Sequence, residues 1–233
     1  MISFVIPAFN EESLLPQCLA AIQRECADWV NYEIIVVDNG STDGTAGIAL
    51  KYGATVVTEP VKGITRARQK GLLAANYNIV AFIDADNEIP PGWAVCAVWS
   101  LHYHKAVVAS GPLIYTELSL FKRLIITLFY TFGGLLCRIA PMLQGGNFIL
   151  RKDSMLQAGG FNTEIDFYGE DADTATRLSK IGKVRFDPGM WVYSSSRRFD
   201  EEGLLRVGTR YLMNFAWIWI CGMPWTLEHR DHR

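Results

Sequence analysis

The stretch NIVAFIDAD, residues 78–86, is an apolar run that ends in two aspartates. Its β-branched and aromatic side chains predict a buried strand, with Asp84 and Asp86 where that strand meets solvent. On an extended chain, residues two apart point the same way, so the two carboxylates are expected to share one side. Taken alone, the pair fits solubilising charges at a turn, caps for a helix starting near Pro91, or ligands of a metal ion.

Three more apolar strands precede this one, and a helical pattern follows each of them. The strands are predicted at 2–7, 32–38 and 54–59, and the helices at 11–25, 41–53 and 63–76. Strands that are apolar throughout and alternate with helices are typical of a parallel sheet covered on both faces. The sequence therefore predicts an α/β fold with an open, mostly parallel, Rossmann-like sheet. The helix at 41–53 is expected to be capped by Ser41, Thr42 or Asp43.

Polar residues follow each of these four strands. The segments are PAFNEE (7–12), DNGSTD (38–43), EPVKG (59–63) and DADNE (84–88). In open α/β sheets, ligands bind in the crevice beyond the carboxyl ends of the strands. Because four such ends converge on one edge, the sequence predicts a binding site there.

The second half of the chain mixes strands and helices. Strands are expected within 106–115, an apolar helix near 118–138, and then a strand and a helix capped by Asp153 within 144–161. A helix starting at Glu170 and strands at 183–188 and 190–196 complete the pattern. We expect this half to add mixed strands beside the parallel sheet and to form a second wall over the crevice.

The helix that starts at Glu170 is unusually acidic at its first turn. Glu170, Asp171 and Asp173 all lie there, where carboxylates interact well with the helix dipole. Three acidic residues exceed what capping requires, so one of them is a candidate general base for a substrate hydroxyl.

Composition narrows the class of protein. The chain has 233 residues, of which 50% are hydrophobic and 20% charged, which predicts one globular domain, alone or with a C-terminal extension. A formal charge of −2 gives no broad attraction to nucleic acid or to anionic lipid. Five scattered cysteines without a CxxC pair favour a reducing compartment over disulfides or zinc. The start MISFVIPAFN has no basic region, which predicts a cytoplasmic protein without a signal peptide.

Two segments are strongly apolar but shorter than a membrane-spanning helix requires. They are LIITLFYTFGGLLC (124–137) and YLMNFAWIWICGMPWTL (211–227). The first is predicted to be a core helix. The second is rich in tryptophan, and a membrane interface, a neighbouring chain and its own core all stay open as its surroundings.

Six ordered blocks of this sequence resemble the signature blocks of glycosyltransferase family 2. They lie at residues 3–22, 32–49, 63–72, 79–93, 145–161 and 168–182. The resemblance implies a GT-A fold and an inverting enzyme that depends on a nucleotide sugar. It says much less about which sugar is transferred.

The resemblance assigns donor-side roles to particular residues. The base and ribose would be lined by Pro7, Phe9, Asn10 and Glu11, and Asp38 would hydrogen-bond the base. The segment that closes over the nucleotide contributes Lys62, Gly63 and Arg68. The D-x-D motif is Asp84, Ala85 and Asp86, in which Asp86 is the stronger ligand candidate for Mg²⁺ or Mn²⁺.

On the acceptor side, the resemblance makes Asp171 the general base and Glu170 its catalytic neighbour. The acceptor wall would be formed by Gly145, Gly146 and Asn147. Many relatives carry a histidine after the last strands, where this chain has three serines followed by Arg197 and Arg198. We hypothesise that one of these arginines contacts the donor diphosphate, since arginine suits phosphate geometry, while a solvated basic turn is the alternative.

The resulting organisation is a GT-A catalytic domain at 1–195, with a nucleotide-sugar half at 1–90 and an acceptor half at 91–195. A tryptophan-rich helical extension follows at 196–233. The expected donor is a UDP-sugar or GDP-sugar, and the acceptor is a sugar, a lipid-linked molecule or a small molecule, with no nucleic acid partner. Two further possibilities stay open: a homodimer, and peripheral contact with the inner face of the membrane. The rival functions are a nucleotidyltransferase and a non-catalytic sugar-nucleotide-binding module.

Overall fold

A computed structural model of the chain describes residues 1–28, 31–136, 141–165 and 169–197, together with residues 199, 203, 208, 209 and 213. Arg198 and nearly all of the predicted C-terminal extension lie outside the described residues. The helices are α1 (Leu15–Glu25), α2 (Thr45–Lys51), α3 (Ile64–Ala74), α4 (Trp93–Tyr103), α5 (Leu120–Leu136), α6 (Lys152–Gln157) and α7 (Glu170–Ser179). The strands are β1 (Ile2–Ala8), β2 (Tyr32–Asp38), β3 (Thr55–Thr58), β4 (Ile79–Ile83), β5 (Asn87–Glu88), β6 (Ala106–Ser110), β7 (Leu113–Ile114), β8 (Asn147–Arg151), β9 (Lys183–Phe186) and β10 (Val192–Ser194).

The main sheet has a parallel half and a mixed half. Across the described ranges, seven strands pair in the order β3–β2–β1–β4–β8–β6–β9. Strands β1 to β4 are mutually parallel, β8 runs antiparallel to both β4 and β6, and β9 is parallel to β6. A small sheet in the order β5–β10–β7 lies beside it. The predicted mostly parallel α/β sheet with a mixed second half is confirmed.

Side-chain alternation along the buried strands builds a core on each face of the main sheet. In β1, Phe4 and Ile6 pack into one core and Val5 into the other. Helices α1, α2, α4 and α5 contribute to the first core, and α3, α6 and α7 contribute to the second. The carboxyl ends of β1 to β4 therefore open at one edge between two helical layers, as the sequence predicted.

The D-x-D segment departs from its predicted geometry. Strand β4 ends at Ile83, and the N–H of Asn87 donates to the carbonyl of Asp84 at 3.0 Å, which closes a turn. The expectation that Asp84 and Asp86 share one side of an extended strand is therefore wrong, because side-chain alternation does not continue through a turn.

Three predicted helix starts are also corrected. Helix α1 begins at Leu15 rather than at 11, and α2 begins at Thr45 with Gly44 as its N-cap. Asp43 still stabilises that start, since its carboxylate accepts the N–H of Thr45 at 3.0 Å. Asp153 lies in the first turn of α6 rather than at its cap. Asp43 and Asp153 thus lie at the predicted ends of α2 and α6, but the N-cap residues are Gly44 and Arg151.

Helix α5 was predicted to lie in the core, and the structure contradicts this for one of its sides. Tyr130 is buried and Ile126 packs against the core, but Leu124 and Leu128 on the opposite side are exposed. Of the helices within the described ranges, none is both long enough and apolar enough to cross a membrane.

Gly71 sets how closely α3 packs on the sheet, and we predict that Gly71→Ala destabilises the fold. An added Cβ would overlap Cγ1 of Val5 and come within 3.0 Å of Cγ2 of Val37. Overpacking of this kind lowers the free energy of unfolding by about 1–3 kcal/mol, which outweighs the better helix propensity of alanine. Urea denaturation measures the change.

Gly47 in α2 provides the matched control, because a Cβ there meets nothing within 4 Å. Gly47→Ala should raise the free energy of unfolding by about 0.5–1 kcal/mol. Equal effects of the two substitutions would contradict this account of α3 packing.

Candidate active site

The loops after β1 and β2 are joined by reciprocal hydrogen bonds. The N–H of Asn10 donates to the hydroxyl of Ser41 at 3.0 Å, and the amide oxygen of Asn10 accepts the N–H of Thr42 at 2.9 Å. The N–H of Glu11 donates to the hydroxyl of Thr45 at 2.8 Å. Asn10 itself has a positive φ of 51°, a conformation that asparagine tolerates better than most residues. These contacts hold the two predicted nucleotide segments as one unit.

The loop after β3 is held by Asn39, a residue that the sequence reasoning missed. Its side-chain amide donates to the carbonyls of Glu59 and Val61, both at 2.8 Å, and its oxygen accepts the N–H of Gly63 at 2.9 Å. Asp38 next to it accepts the N–H of Ser41 at 3.0 Å. Asn39 follows directly after β2, which ends at Asp38, and its side-chain hydrogen bonds go to residues 20 to 24 positions away, so no local signal identifies it.

Lys62 and Phe9 meet across this crevice. The Lys62 ammonium lies 3.8 Å from the centroid of the Phe9 ring, a cation–π contact between the loops after β3 and β1. Both residues were predicted on the donor side, and the structure brings them together. An aromatic face beside a cation suits a nucleotide, which offers a ring to stack and phosphates to neutralise.

Arg68 of α3 is buried and bridges two carboxylates. One terminal nitrogen donates to Asp84 at 3.0 Å, and the other donates to Glu170 at the start of α7. Burial disfavours the charged guanidinium, but Glu170 and Asp84 more than offset this, so the pKa of Arg68 lies above its ordinary value. Arg68 therefore links the D-x-D turn to the acidic helix.

Two glycines let the backbone lie against these carboxylates. A Cβ at Gly145 would come within 2.8 Å of Glu170 Oε1, and one at Gly146 would overlap the Asp84 carboxylate. Gly146 also has a φ of +75°, which disfavours any other residue. The backbone is therefore closely packed at these two positions, and the acceptor wall predicted there stays a prediction.

Asn147 does not belong to that wall. It is completely buried, and its side chain donates to the carbonyls of Gly111 and Met190 while its oxygen accepts the indole N–H of Trp93. The expectation that Asn147 faces an acceptor is wrong, because these hydrogen bonds hold the backbone behind the wall.

The first turn of α7 presents carboxylates in different environments. Burial raises the pKa of Glu170 to about 7, against the lowering effect of Arg68. Desolvation raises the pKa of Asp171, although the N–H groups of Ala172 and Gly145 partly oppose the shift. Asp173 instead forms an ion pair with Arg177 one turn later, at 2.8 Å. Glu170 Oε2 is buried and makes no hydrogen bond within the described part of the chain.

Arg197 joins the ends of β1 and β4 from beyond β10. Its guanidinium donates to both oxygens of Glu11, at 2.5 and 3.2 Å, and lies 3.4 Å from Asp86 Oδ2. Glu11 is almost fully buried, so this pairing neutralises a carboxylate that would otherwise lack solvent. Arg197 thus lies in the candidate site, its contact with a donor diphosphate stays a hypothesis, and Arg198 lies outside the described residues.

The two aspartates of the D-x-D motif consequently have different partners. Asp84 pairs with Arg68 on the α7 side, and Asp86 lies beside Arg197 on the β1 side. Ala85 between them is buried. The donor and metal roles predicted for these residues stay predictions.

The carboxylates of the candidate site are possible oxygen ligands for a divalent cation. Within the described ranges, no three His, Cys, Asp or Glu side chains are close enough to hold a metal ion by themselves. Mg²⁺ is commonly held by one or two carboxylates, with substrate phosphates completing its shell. Asp86 is partly exposed, and the carboxylates of the site outnumber its two guanidinium groups. The residues therefore fit a metal ion that is completed by phosphate oxygens.

Two comparisons relate the sequence to known proteins. A sequence model of Glycosyl transferase family 2 matches residues 3–157, which is more than half of the chain. An uncharacterized glycosyltransferase of Mycobacterium bovis is 46% identical over 91 residues. That alignment covers 39% of this chain and 39% of the relative, so the chain matches well under half of the relative's length.

Solved structures show the same fold at low sequence identity. A mannosyltransferase of Pyrobaculum calidifontis, in complex with GDP-Man and Mn²⁺, superposes with a TM-score of 0.69 at 23% identity. The match covers 83% of this chain and 56% of that one. Glucosyl-3-phosphoglycerate synthase from Mycobacterium tuberculosis, in complex with Mn²⁺ and UDP-glucose, gives 0.64 at 22% identity, over 96% and 80% of the two chains. The architecture described above is the GT-A fold of these glycosyltransferases.

Glu170 should make the stability of the protein depend on pH. The pKa of Glu170 rises from 4.5 to about 7 on folding, so the folded protein holds a proton at pH values where the unfolded chain has released it. This contribution to stability is complete below pH 4.5 and is lost as the pH rises to about 7. Across that window, the wild type should lose on the order of 1–3 kcal/mol relative to Glu170→Gln, which cannot titrate.

Urea denaturation of both proteins at a series of pH values measures this difference. Glu164→Gln, which removes an exposed glutamate, controls for the loss of one negative charge. A constant difference between wild type and Glu170→Gln from pH 4 to pH 8 would show that Glu170 does not titrate as described.

Proposed function

Since the chain belongs to Glycosyl transferase family 2, we propose that it transfers a sugar from a nucleoside diphosphate sugar to an acceptor hydroxyl, with inversion at the anomeric carbon. The observation that carries this proposal is the Arg68 bridge, which brings the D-x-D turn and the acidic start of α7 to one crevice. This bridge supports a donor-side role for Asp84 and a general base at the start of α7.

The nucleotide is proposed to bind over the loops after β1, β2 and β3. Phe9 offers a ring face, and Lys62 beside it offers a positive charge to the phosphates. Asp38 would accept a hydrogen bond from the base through the oxygen that Ser41 does not use. Asn10 and Asn39 support this surface by fixing the loops.

A divalent ion, Mg²⁺ or Mn²⁺, is proposed to be held by Asp86 together with the donor diphosphate, with Asp84 nearby. When bound, such an ion acts as a Lewis acid that stabilises negative charge on the leaving phosphate. Arg197 is proposed to turn from Glu11 toward the diphosphate, because its planar guanidinium matches phosphate oxygens as well as it matches a carboxylate.

Asp171 is the proposed general base. It takes the proton of the acceptor hydroxyl as the acceptor oxygen forms its bond to the anomeric carbon. The bond from that carbon to the diphosphate oxygen breaks in the same step, and its electron pair leaves with the nucleoside diphosphate. A single displacement from the opposite face inverts the anomeric configuration.

Glu170 and Arg68 are proposed to position this machinery rather than to react. Arg68 holds Asp84 and Glu170 in fixed places, and Glu170 precedes Asp171 at the start of α7. Burial raises the pKa of Asp171, which makes it a stronger base than an ordinary aspartate. A hexose is the proposed donor sugar, and the acceptor class is left open.

Donor binding with and without Mn²⁺ tests the donor half of this proposal. Because the protein alone lacks a complete metal site in its described ranges, Mn²⁺ by itself should change the melting temperature little. A matching UDP-sugar or GDP-sugar should raise it by several degrees, and more with Mn²⁺ present. Asp86→Asn should abolish the additional effect of Mn²⁺.

In the same assay, Arg197→Ala should weaken donor binding by about 10-fold to 100-fold, the effect of losing a charge-assisted contact to phosphate. Arg24→Ala is the matched control, since Arg24 of α1 forms an exposed ion pair with Glu88 of β5 and contacts neither Glu11 nor Asp86 in the ion pairs of the described residues. Unchanged donor affinity in Arg197→Ala would remove Arg197 from the donor site.

Asp171→Asn tests the chemical step. It should reduce kcat by at least about 100-fold, the contribution expected of a general base, with donor affinity within about threefold of wild type. Asp173→Asn is the control in the same helical turn, and its kcat should stay near that of wild type.

Product formation and donor binding are measured separately in each variant. Turnover by Asp171→Asn at the wild-type rate would exclude Asp171 as the base. If the wild type binds a nucleotide sugar but never transfers it to any acceptor, the rival function of a non-catalytic binding module is favoured.

A further inference from the structure

Helix α5 presents an apolar face to solvent, and this face is not accounted for by the proposed reaction. Five large apolar side chains in its first half are between 42% and 80% exposed. They recur at the spacing of one helical side. These residues, called the α5 face below, are Leu120, Phe121, Leu124, Ile125 and Leu128.

The opposite side of α5 is firmly attached to the domain. Tyr130 is buried, its ring stacks on Phe186 of β9 with centroids 6.0 Å apart, and its hydroxyl donates to Gln144 at 3.0 Å. Ile126 packs against the same core. The α5 face is therefore the outer side of a docked helix and not the core side of a detached one.

The polar groups on this side of the helix are satisfied internally. The hydroxyl of Thr127 donates to the carbonyl of Arg123 at 2.9 Å, and that of Thr131 donates to the carbonyl of Thr127 at 2.8 Å. Both threonines are exposed, yet each hydroxyl proton is directed to the helix backbone. The α5 face can therefore enter an apolar medium without stranding a hydroxyl donor.

Both charged residues of helix α5 are basic. At about 100° per residue, Lys122 lies beyond one border of the face and Arg123 beyond the other. Residues 120–136 contain no aspartate or glutamate. Glu117, just before the helix, accepts hydrogen bonds from the N–H and hydroxyl of Ser196. This local positive charge contrasts with a chain whose formal charge is −2.

We propose that the α5 face docks on the surface of an anionic lipid bilayer. An apolar stripe with a basic residue on each border matches a helix that lies in the bilayer interface, where long basic side chains reach the head groups. Charge complementarity favours anionic lipid over a second copy of this chain, since two copies of the face would bring like charges together.

The buried side of α5 is linked to the candidate site. Gln144, which accepts the hydroxyl of Tyr130, directly precedes Gly145, and Gly145 lies against Glu170. The inference goes beyond the proposed function and does not rest on it, because lipid binding is measured without turnover.

Cosedimentation of the full chain with vesicles tests the proposal. The wild type should bind vesicles of mixed phosphatidylglycerol and phosphatidylcholine more tightly than vesicles of phosphatidylcholine alone, and added salt should weaken that preference. Leu124→Glu combined with Leu128→Glu should reduce binding to the anionic vesicles by roughly tenfold or more. Lys122→Gln combined with Arg123→Gln should remove the preference for anionic lipid.

Leu73→Glu is the matched control. Leu73 is 57% exposed against 56% for Leu124, and it lies on α3, which covers the other face of the sheet. Its substitution should leave vesicle binding unchanged. Phe121→Gln provides a second α5 variant with a neutral side chain, should the paired glutamates perturb folding in a thermal melt.

Three results would overturn the proposal. The first is a wild type that does not bind the anionic vesicles. The second is binding by both kinds of α5 variant at the wild-type level. The third is a wild-type dimer in sedimentation velocity that Leu124→Glu dissociates, because the face would then be an interface between copies of this chain.

Discussion

The buried guanidinium of Arg68 is the contact on which the arrangement of the site depends. Its two partners come from opposite halves of the chain, Asp84 from the turn after β4 and Glu170 from the start of α7. A buried cation with two carboxylates tolerates little displacement, because each lost contact leaves a charge without compensation. The glycines at 145 and 146 are a consequence of this packing, since no Cβ fits beside these carboxylates. Arg197 also contacts two carboxylates, Glu11 and Asp86, at the other end of the crevice, but its side chain is 28% exposed against 2% for Arg68 and is therefore less constrained.

Much of the fold could be predicted from the sequence, because apolar strands alternate with amphipathic helices through the first 86 residues. The start of α7 at Glu170 was also predictable, since three carboxylates mark it. The D-x-D geometry was not, because local sequence did not show that β4 ends at Ile83 and that a turn follows. The burial of α5 could not be predicted either, because an apolar helix has the same sequence pattern whether one or both of its sides are covered by the rest of the protein.

At the candidate site, the residues themselves were easier to predict than the ion pairs and hydrogen bonds that they form with one another. The positions of Lys62, Asp84 and Asp86 near one crevice follow from strand order, which the parallel pattern implies. Arg197 was expected there only from the family resemblance. The pairing of Arg68 with Glu170 joins residues 102 positions apart, and no local rule specifies it. Asn147 was misassigned for the same reason, because its hydrogen bonds go to segments that are distant in sequence.

The insertion of antiparallel β8 between β4 and β6 has a consequence for biosynthesis. Strands β1 to β4 are complete once the first 83 residues have been made, but the free edge of β4 finds its partner only when residues 147–151 emerge. At about 5–20 residues per second, that edge stays open for several seconds on the ribosome. An apolar strand edge of this kind can pair with another chain, so the interval before β8 arrives is a time of aggregation risk during synthesis.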